Sequence, residues 1–392
     1  MGYLSNRSIN LLNAHSLLVV VSDQAKVLFS AAFFLSEGIP PWAIALLWAW
    51  HFAARLLART GTIRLVRHAG LKASIILGAL GNALAFFLLV PVHGLGWLVV
   101  AYFTAIAVFD SLYWMAYHSL FCIAGDHEHR GKQMAVRSVL GMLATAIVPA
   151  VSGVLAATAG FGWVFLVGAA AVALSALPVW LVALPEIPPV GPVREGVKTP
   201  KWGFTLFAAK ASYDNSYLFV WGMMVFLIAG NVALFGGIIA VGIALQVLLF
   251  LMGGYWLDKG KGKAMLLGGG PATIMKIAMQ AGFVFTPLAV IATNALNFFK
   301  DVLFDPAVNL PYYNRGKAAR DPVWYMAWGE MGWDVGAIAT LLLVAALNYA
   351  GLPLRAIILL GVVGVIVPGW MAYKRYGNTQ HPAKGWFSMM RR

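Results

Sequence analysis

Twelve apolar segments of roughly 16–27 residues follow one another along this chain, read as helices that cross a hydrocarbon core of about 30 Å. They run Leu11–Leu35, Trp42–Leu57, Leu71–Pro91, Trp97–Ile123, Lys132–Ala157 and Trp163–Leu184. The second six are Gly203–Ile228, Ala233–Leu257, Ala264–Phe285, Leu288–Leu310, Val323–Leu347 and Pro353–Tyr373. With 392 residues in all, little is left for a soluble catalytic domain, and no nucleophile–base–acid arrangement is visible. The expected fold class is an all-α membrane protein, and an enzyme is not expected.

The net charge of +14 could point to nucleic acid, but its distribution argues for topology. Basic residues crowd alternate connections: Arg59, Arg64, Arg67 and Lys72, then Arg130 and Lys132, then Arg194, Lys198 and Lys201. Lys259, Lys261 and Lys263, then Arg315, Lys317 and Arg320, and finally Lys374 to Arg392 continue the series, while the intervening connections hold almost none. Positive charge is retained on the cytoplasmic side, so both termini are expected in the cytoplasm and the protein in the plasma (inner) membrane. No nucleic-acid partner is implied. Asp23 and Lys26 interrupt the first apolar run, which argues against a cleaved signal peptide. Cys122 is the single cysteine. His127-Glu128-His129 lacks the i, i+4 histidine spacing of a metalloprotease helix, so neither metal nor cofactor is expected.

Pro185 to Lys201 (PEIPPVGPVREGVKTPK) is the longest interior break, and its proline, glycine and charge read as a linker. The expected organisation is a six-helix bundle over 1–184, a cytoplasmic linker over 185–202, a second bundle over 203–374 and a basic tail over 375–392. At an offset of about 190 residues the halves echo one another. Ser22-Asp23-Gln24 falls against Tyr213-Asp214-Asn215, and Lys72-Ala73 with Gly78 against Lys263-Ala264 with Gly269. Ordered matches at one spacing indicate an internal duplication.

Charge inside the apolar segments is the functional signal. An ionised group near a bilayer centre costs about 2.5–3.5 kcal/mol on insertion scales. The chain nevertheless carries Asp23, Lys26, Asp110, Lys210, Asp214, Lys276, Lys300, Asp301, Asp305, Glu330 and Asp334 there. Helical spacing gathers many of them into stripes. Segment 10 shows Asn294, Asn297, Asp301 and Asp305 with Lys300 at the edge, and segment 7 shows Lys210, Asp214, Tyr217 and Trp221. Segment 1 offers Asp23 and Lys26; segment 4 offers Asp110, Trp114 and Tyr117, with Tyr113 nearby; segment 11 adds Glu330 and Asp334 at i, i+4. Static pairs Asp23–Lys26 and Lys210–Asp214 are one reading, and a polar translocation pathway is the other. Lys276 is expected to reach inward to an acid as a structural pair.

Gly254-Tyr-Trp-Leu-Asp258-Lys259-Gly260-Lys261-Gly262-Lys263, between segments 8 and 9, resembles the glycine–aspartate–basic loop of the major facilitator superfamily. Asp126 to Lys132 (DHEHRGK) resembles that family's loop before helix 5, with its Arg130-Gly131 pair. The loop Arg59 to Lys72 keeps Gly70 and the bases but lacks the aspartate. Pro149-Ala-Val-Ser152-Gly153 is a degraded likeness of the family's antiporter motif, with close helix packing as the alternative. The resemblance implies two pseudo-symmetric six-helix bundles and a central cavity lined by helices 1, 4, 7 and 10. It also implies a gate at Gly254, Asp258, Lys259, Lys261, Lys263, Arg130 and Gly131. The expected function is alternating-access secondary transport of a small organic solute, coupled to protons, with export favoured and the protein a monomer in the lipid bilayer. A flippase for an amphipathic or lipid-linked molecule, and a non-transporting assembly or receptor protein on the same fold, are the alternatives.

Overall fold

The computed structural model describes residues 6–124, 130–183, 201–257, 262–318 and 322–376. These residues form twelve helical rods and, among them, no strand. We label the rods α1 (Arg7–Ser36), α2 and α3 (the parts of Pro41–Phe86 before and after Gly70), α4 (Trp97–Ala124), α5 (Arg130–Ala159) and α6 (Phe161–Trp180). The second half comprises α7 (201–229), α8 (Val232–Leu257), α9 (Gly262–Gly282), α10 (287–318), α11 (Pro322–Tyr349) and α12 (Leu354–Tyr376). Seven helices among the described residues are long and apolar enough to cross a membrane. The loop residues Asp258, Lys259 and Lys261, together with most of the linker and the tail, lie outside the described residues. Gly254, Arg130 and Gly131 lie on described helix backbone, outside the residues whose surroundings are described.

Local chemistry sets the helix ends. Asn6 caps α1 by accepting from the Ile9 amide at 3.0 Å, and Thr286 caps α10 ahead of Pro287. Gly230 ends α7 in the left-handed conformation at φ 72°, which costs a residue without Cβ nothing. Gly70, at φ 82°, is where α2 turns into α3.

That turn corrects one expectation. The connection expected over Arg59 to Lys72 is helical almost throughout, and Arg59 is fully buried on α2. The apolar stretch Trp42–Leu57 ends early because α2 carries the buried Arg59 just beyond it.

Both halves share one core at the end of the bundle away from the chain termini. Phe29 meets Phe235 edge-on at 5.6 Å, and Trp48 lies 4.3 Å from Phe219. Lipid gives helices no hydrophobic drive to associate, so small residues that admit close approach carry the contact. A Cβ on Gly153 of α5 would sit 2.8 Å from the Val232 carbonyl of α8, and one on Gly236 would collide with the Pro149 carbonyl. Pro149 and Gly153 therefore serve helix packing. Trp97, Trp163 and Tyr349 stand exposed at helix ends, as in an interfacial aromatic belt.

Candidate functional site

A cavity of about 690 Å³ lies between the halves. Its wall begins mid-helix, at Asp23, Asp110, Tyr217 and Asp301 of α1, α4, α7 and α10. It continues toward the chain-terminal end past His118, Tyr312 and Met326.

Three π-helical turns shape this wall: Gln24–Phe29 in α1, Ser216–Trp221 in α7 and Phe299–Phe304 in α10. Such turns insert a residue and re-aim the side chains around it, and they concentrate at functional sites. The first two occupy matching places in the two halves. In α10 the expected stripe is broken, first by the end of the α-helix at Ala295 and then by the π turn. Asn297 and Asp301 line the cavity, Asn294 turns away to accept from Trp221 Nε1 at 2.8 Å, and Asp305 turns toward lysines.

In the first half, Lys26 is the hub. Its ammonium donates to both Asp110 oxygens at 3.0 and 3.2 Å and lies 3.1 Å from Asp23. Asn82 of α3 donates to Asp110 at 3.1 Å, and His51 Nε2 stands 3.8 Å away. In the second half, Lys300 donates to Asp214 at 2.8 Å and lies 3.0 Å from Asp305 and 3.5 Å from Asp301. Lys210 donates to Asp214 at 2.7 Å and stands 3.5 Å from Asp305. Gln246 donates to Asp301 at 2.7 Å. Asp110 and Asp301 keep the separation of about 190 residues that relates Asp23 to Asp214, so the duplication retains two acids per half.

A third network joins the halves. Asp334 of α11, fully buried, accepts from Arg55 through one oxygen and from Arg59 through the other, the latter at 3.0 and 2.5 Å. Glu330 lies 3.8 Å from Arg59 and 4.0 Å from Arg55. The i, i+4 acids are held by two arginines outside the expected site. A signal existed, since Arg55 and Arg59 are themselves i, i+4.

Several expected members stand apart from the cavity. Tyr113 and Tyr117 are packed inside the first half around His15, which pairs with the Tyr113 hydroxyl at 2.9 Å, whereas Trp114 of the same helix lines the cavity. Asp214, Lys300, Asp305 and Asp334 form a layer behind the wall. Lys276 has no carboxylate within 4.0 Å among the described residues. It donates to Tyr213 Oη at 2.7 Å and Asn297 Oδ1 at 2.5 Å, with the Tyr217 ring 4.5 Å away. Asn297 in turn donates to Tyr217, so a polar chain runs from the wall to the buried lysine. Of the expected gate, Lys263 lies over the Tyr373 ring at 4.7 Å.

Two helical bundles around a charged central cavity define, as a class, a multi-pass membrane transporter. The family model of the Major Facilitator Superfamily matches residues 17–300, and the chain belongs to that superfamily. Solved structures with the same fold include the nucleoside transporter NupG (TM-score 0.65, 12% identity, covering 94% of this chain and 99% of that one). A transporter of the POT family in complex with a thioalcohol-conjugated peptide aligns at TM-score 0.70 and 14% identity, covering 92% of this chain and 94% of that one. The E. coli fucose:proton symporter FucP aligns at TM-score 0.63 and 12% identity, covering 94% and 98%. Comparison with curated protein sequences gives no match.

Proposed function

We propose that this transporter is proton-coupled and moves a small organic solute by alternating access to the central cavity. The supporting observation is the excess of acid at the wall. Two acids meet one lysine in the first half, and three meet two lysines in the second. The surplus falls on Asp23 and Asp301, whose side chains are 27% and 35% exposed, against 6% for Asp110 and 8% for Asp214. A carboxylate at the edge of a dry cavity is ionised while water reaches it and protonated when the cavity closes, and that alternation couples proton movement to the conformational cycle. FucP, whose name records proton symport, offers a precedent on the same fold.

With both termini cytoplasmic, the cavity faces inward and the packed end, at Phe29–Phe235 and Gly153–Gly236, closes the outer side. The loop likeness at Gly254, Asp258, Lys259, Lys261, Lys263, Arg130 and Gly131 supports a gate at the inner mouth. Pro149 and Gly153, on which the expectation of export rested, are occupied with helix packing.

A melting-temperature screen of the purified protein against sugars, nucleosides, peptides and amines identifies ligands. Each is then tested for accumulation in liposomes under an imposed pH gradient. Asp23→Asn, which imitates the protonated acid, should keep solute exchange and lose uphill accumulation, and Asp301→Asn should lose uphill accumulation. Full accumulation in both variants, with an unchanged pH profile, would sink the coupling.

A further inference from the structure

Apart from the buried Asp110, the wall's acids are turned toward the cavity and its bases away from it. At the wall, Asp301, Asp23 and Glu330 present side chains 35%, 27% and 22% exposed, while Lys210, Lys26 and Arg55 are at 10%, 9% and 8%. Each of those bases already holds a buried carboxylate: Lys210 holds Asp214 and Arg55 holds Asp334 behind the surface, and Lys26 holds Asp110 at the wall. We propose that the central cavity binds an organic cation, a single ammonium or onium group on an apolar aromatic body. The proposal rests on the transporter reading and names the class of its solute.

An anionic solute would have to draw a lysine or arginine away from a buried aspartate, leaving that charge unpaired at a cost of several kcal/mol. A cation meets carboxylates that are only partly engaged. Glu330 has its bases no closer than 3.8 Å, and Asp301 has Lys300 at 3.5 Å and one amide hydrogen bond. Among the described residues, the ion-paired groups around the cavity comprise seven carboxylates and five lysines and arginines, a balance that favours positive charge inside. Lys276, behind Asn297, brings the bases to six and leaves the balance negative.

The walls suit the rest of such a molecule. Trp114, Phe207, Tyr312 and Trp333 line the cavity, and wall rings already have cations beside them, Tyr217 having Lys276 at 4.5 Å. Arg55 sits 5.0 Å from the Phe52 ring centre and Lys210 5.4 Å from that of Trp333. Aromatic faces attract cations through the ring quadrupole, most strongly when the pair is desolvated. A polar handle is present too. Trp48 Nε1, on a wall side chain 2% exposed, has no hydrogen-bond partner among the described residues. A volume of about 690 Å³ accommodates a drug-sized solute. Cation and proton would then compete for the same carboxylates, which makes exchange of one for the other the natural coupling.

The test uses charge-matched probes on purified full-length protein. Tetraphenylphosphonium is compared with tetraphenylborate, and 4-phenylbutylamine with 4-phenylbutanol and 4-phenylbutyrate, by melting temperature and equilibrium binding. Only the cations should stabilise the protein, and Asp301→Asn and Glu330→Gln should each weaken their binding at least tenfold. Glu330→Gln carries the test alone if Asp301→Asn does not fold. Equal or tighter binding of the neutral or anionic members, cation affinity unchanged in the variants, or no cation binding at all would overturn the proposal. Cation binding without exchange of labelled tetraphenylphosphonium across liposomes would overturn the transport reading and leave the site. Proton-driven accumulation of a neutral or anionic solute, with cations inert, would do the reverse.

Discussion

The two halves share one pair of acids in matching places, Asp23 with Asp110 and Asp214 with Asp301, and use them in opposite ways, while Asp305 belongs to the second half alone. In the first half the lysine is on α1; it reaches across to clamp Asp110 of α4 and leaves its own helix's Asp23 at the cavity. In the second half Lys300 is on α10; it reaches across to clamp Asp214 of α7 and leaves its own helix's Asp301 at the cavity. Duplication thus fixed where acids sit, and the placement of one lysine per half decided which acid is buried and which is exposed. Redundancy differs as well. Asp110 has one lysine, whereas Asp214 has two, because Lys210 lies one helical turn before it.

The joint between the halves sets the scale against which this asymmetry is measured. Asp334→Asn strips two buried arginines of their closest partner and should cost about 3–5 kcal/mol, the largest effect of the set. Thermal unfolding in detergent reads it directly. A loss below about 1 kcal/mol would mean that Glu330 swings in to replace it.

Removing each hub lysine tests redundancy itself. Lys26→Met leaves Asp110 with Asn82 and a distant His51, and should approach the cost of Asp334→Asn. Lys300→Met should cost distinctly less, about 1–3 kcal/mol, because Lys210 still holds Asp214. Equal losses in the two variants would erase the proposed difference between the halves.

Gly236→Ala probes closure rather than charge. Its Cβ would collide with the Pro149 carbonyl, so α5 and α8 must separate, at about 1–3 kcal/mol. Distance measurements between labels on the outer ends of α5 and α8 should show the halves opening there, with the acid networks intact. An unchanged distance would show that this contact does not hold the closed end.

The smallest stability effects belong to the exposed acids. Asp23→Asn and Asp301→Asn should each change unfolding by less than about 1 kcal/mol, since partly solvated pairs contribute little. Asp110→Asn and Asp214→Asn should be markedly worse. A reversed order in either half would place its cavity acid on the other helix.

The helical membrane fold, the superfamily and most of the charged residues at the site were legible in the sequence. Apolar length and the offset between halves survive any detail of packing. Asp23, Asp110 and Asp301 could be placed near a cavity because helical periodicity and the family resemblance agreed on α1, α4 and α10. Tyr113 and Tyr117 could not be separated from Trp114 in the same way, since neighbouring stripes on one helix differ only in what packs against them. Arg55 and Arg59 were missed because a basic residue at the end of an apolar run reads as a loop anchor.

The amino-acid sequence determined that charge must enter the membrane, how much of it and in which helices, because an unpaired charge there is too costly to be incidental. Only the tertiary structure decided the pairings. Lys26 bridges two acids and Lys300 three, and π-helical turns that no periodicity records run through both lysines' helices and re-aim the side chains there. Which carboxylates remain facing the cavity depends on distances of a few tenths of an ångström between helices about 80 or more residues apart, and those distances exist only once the helices have packed.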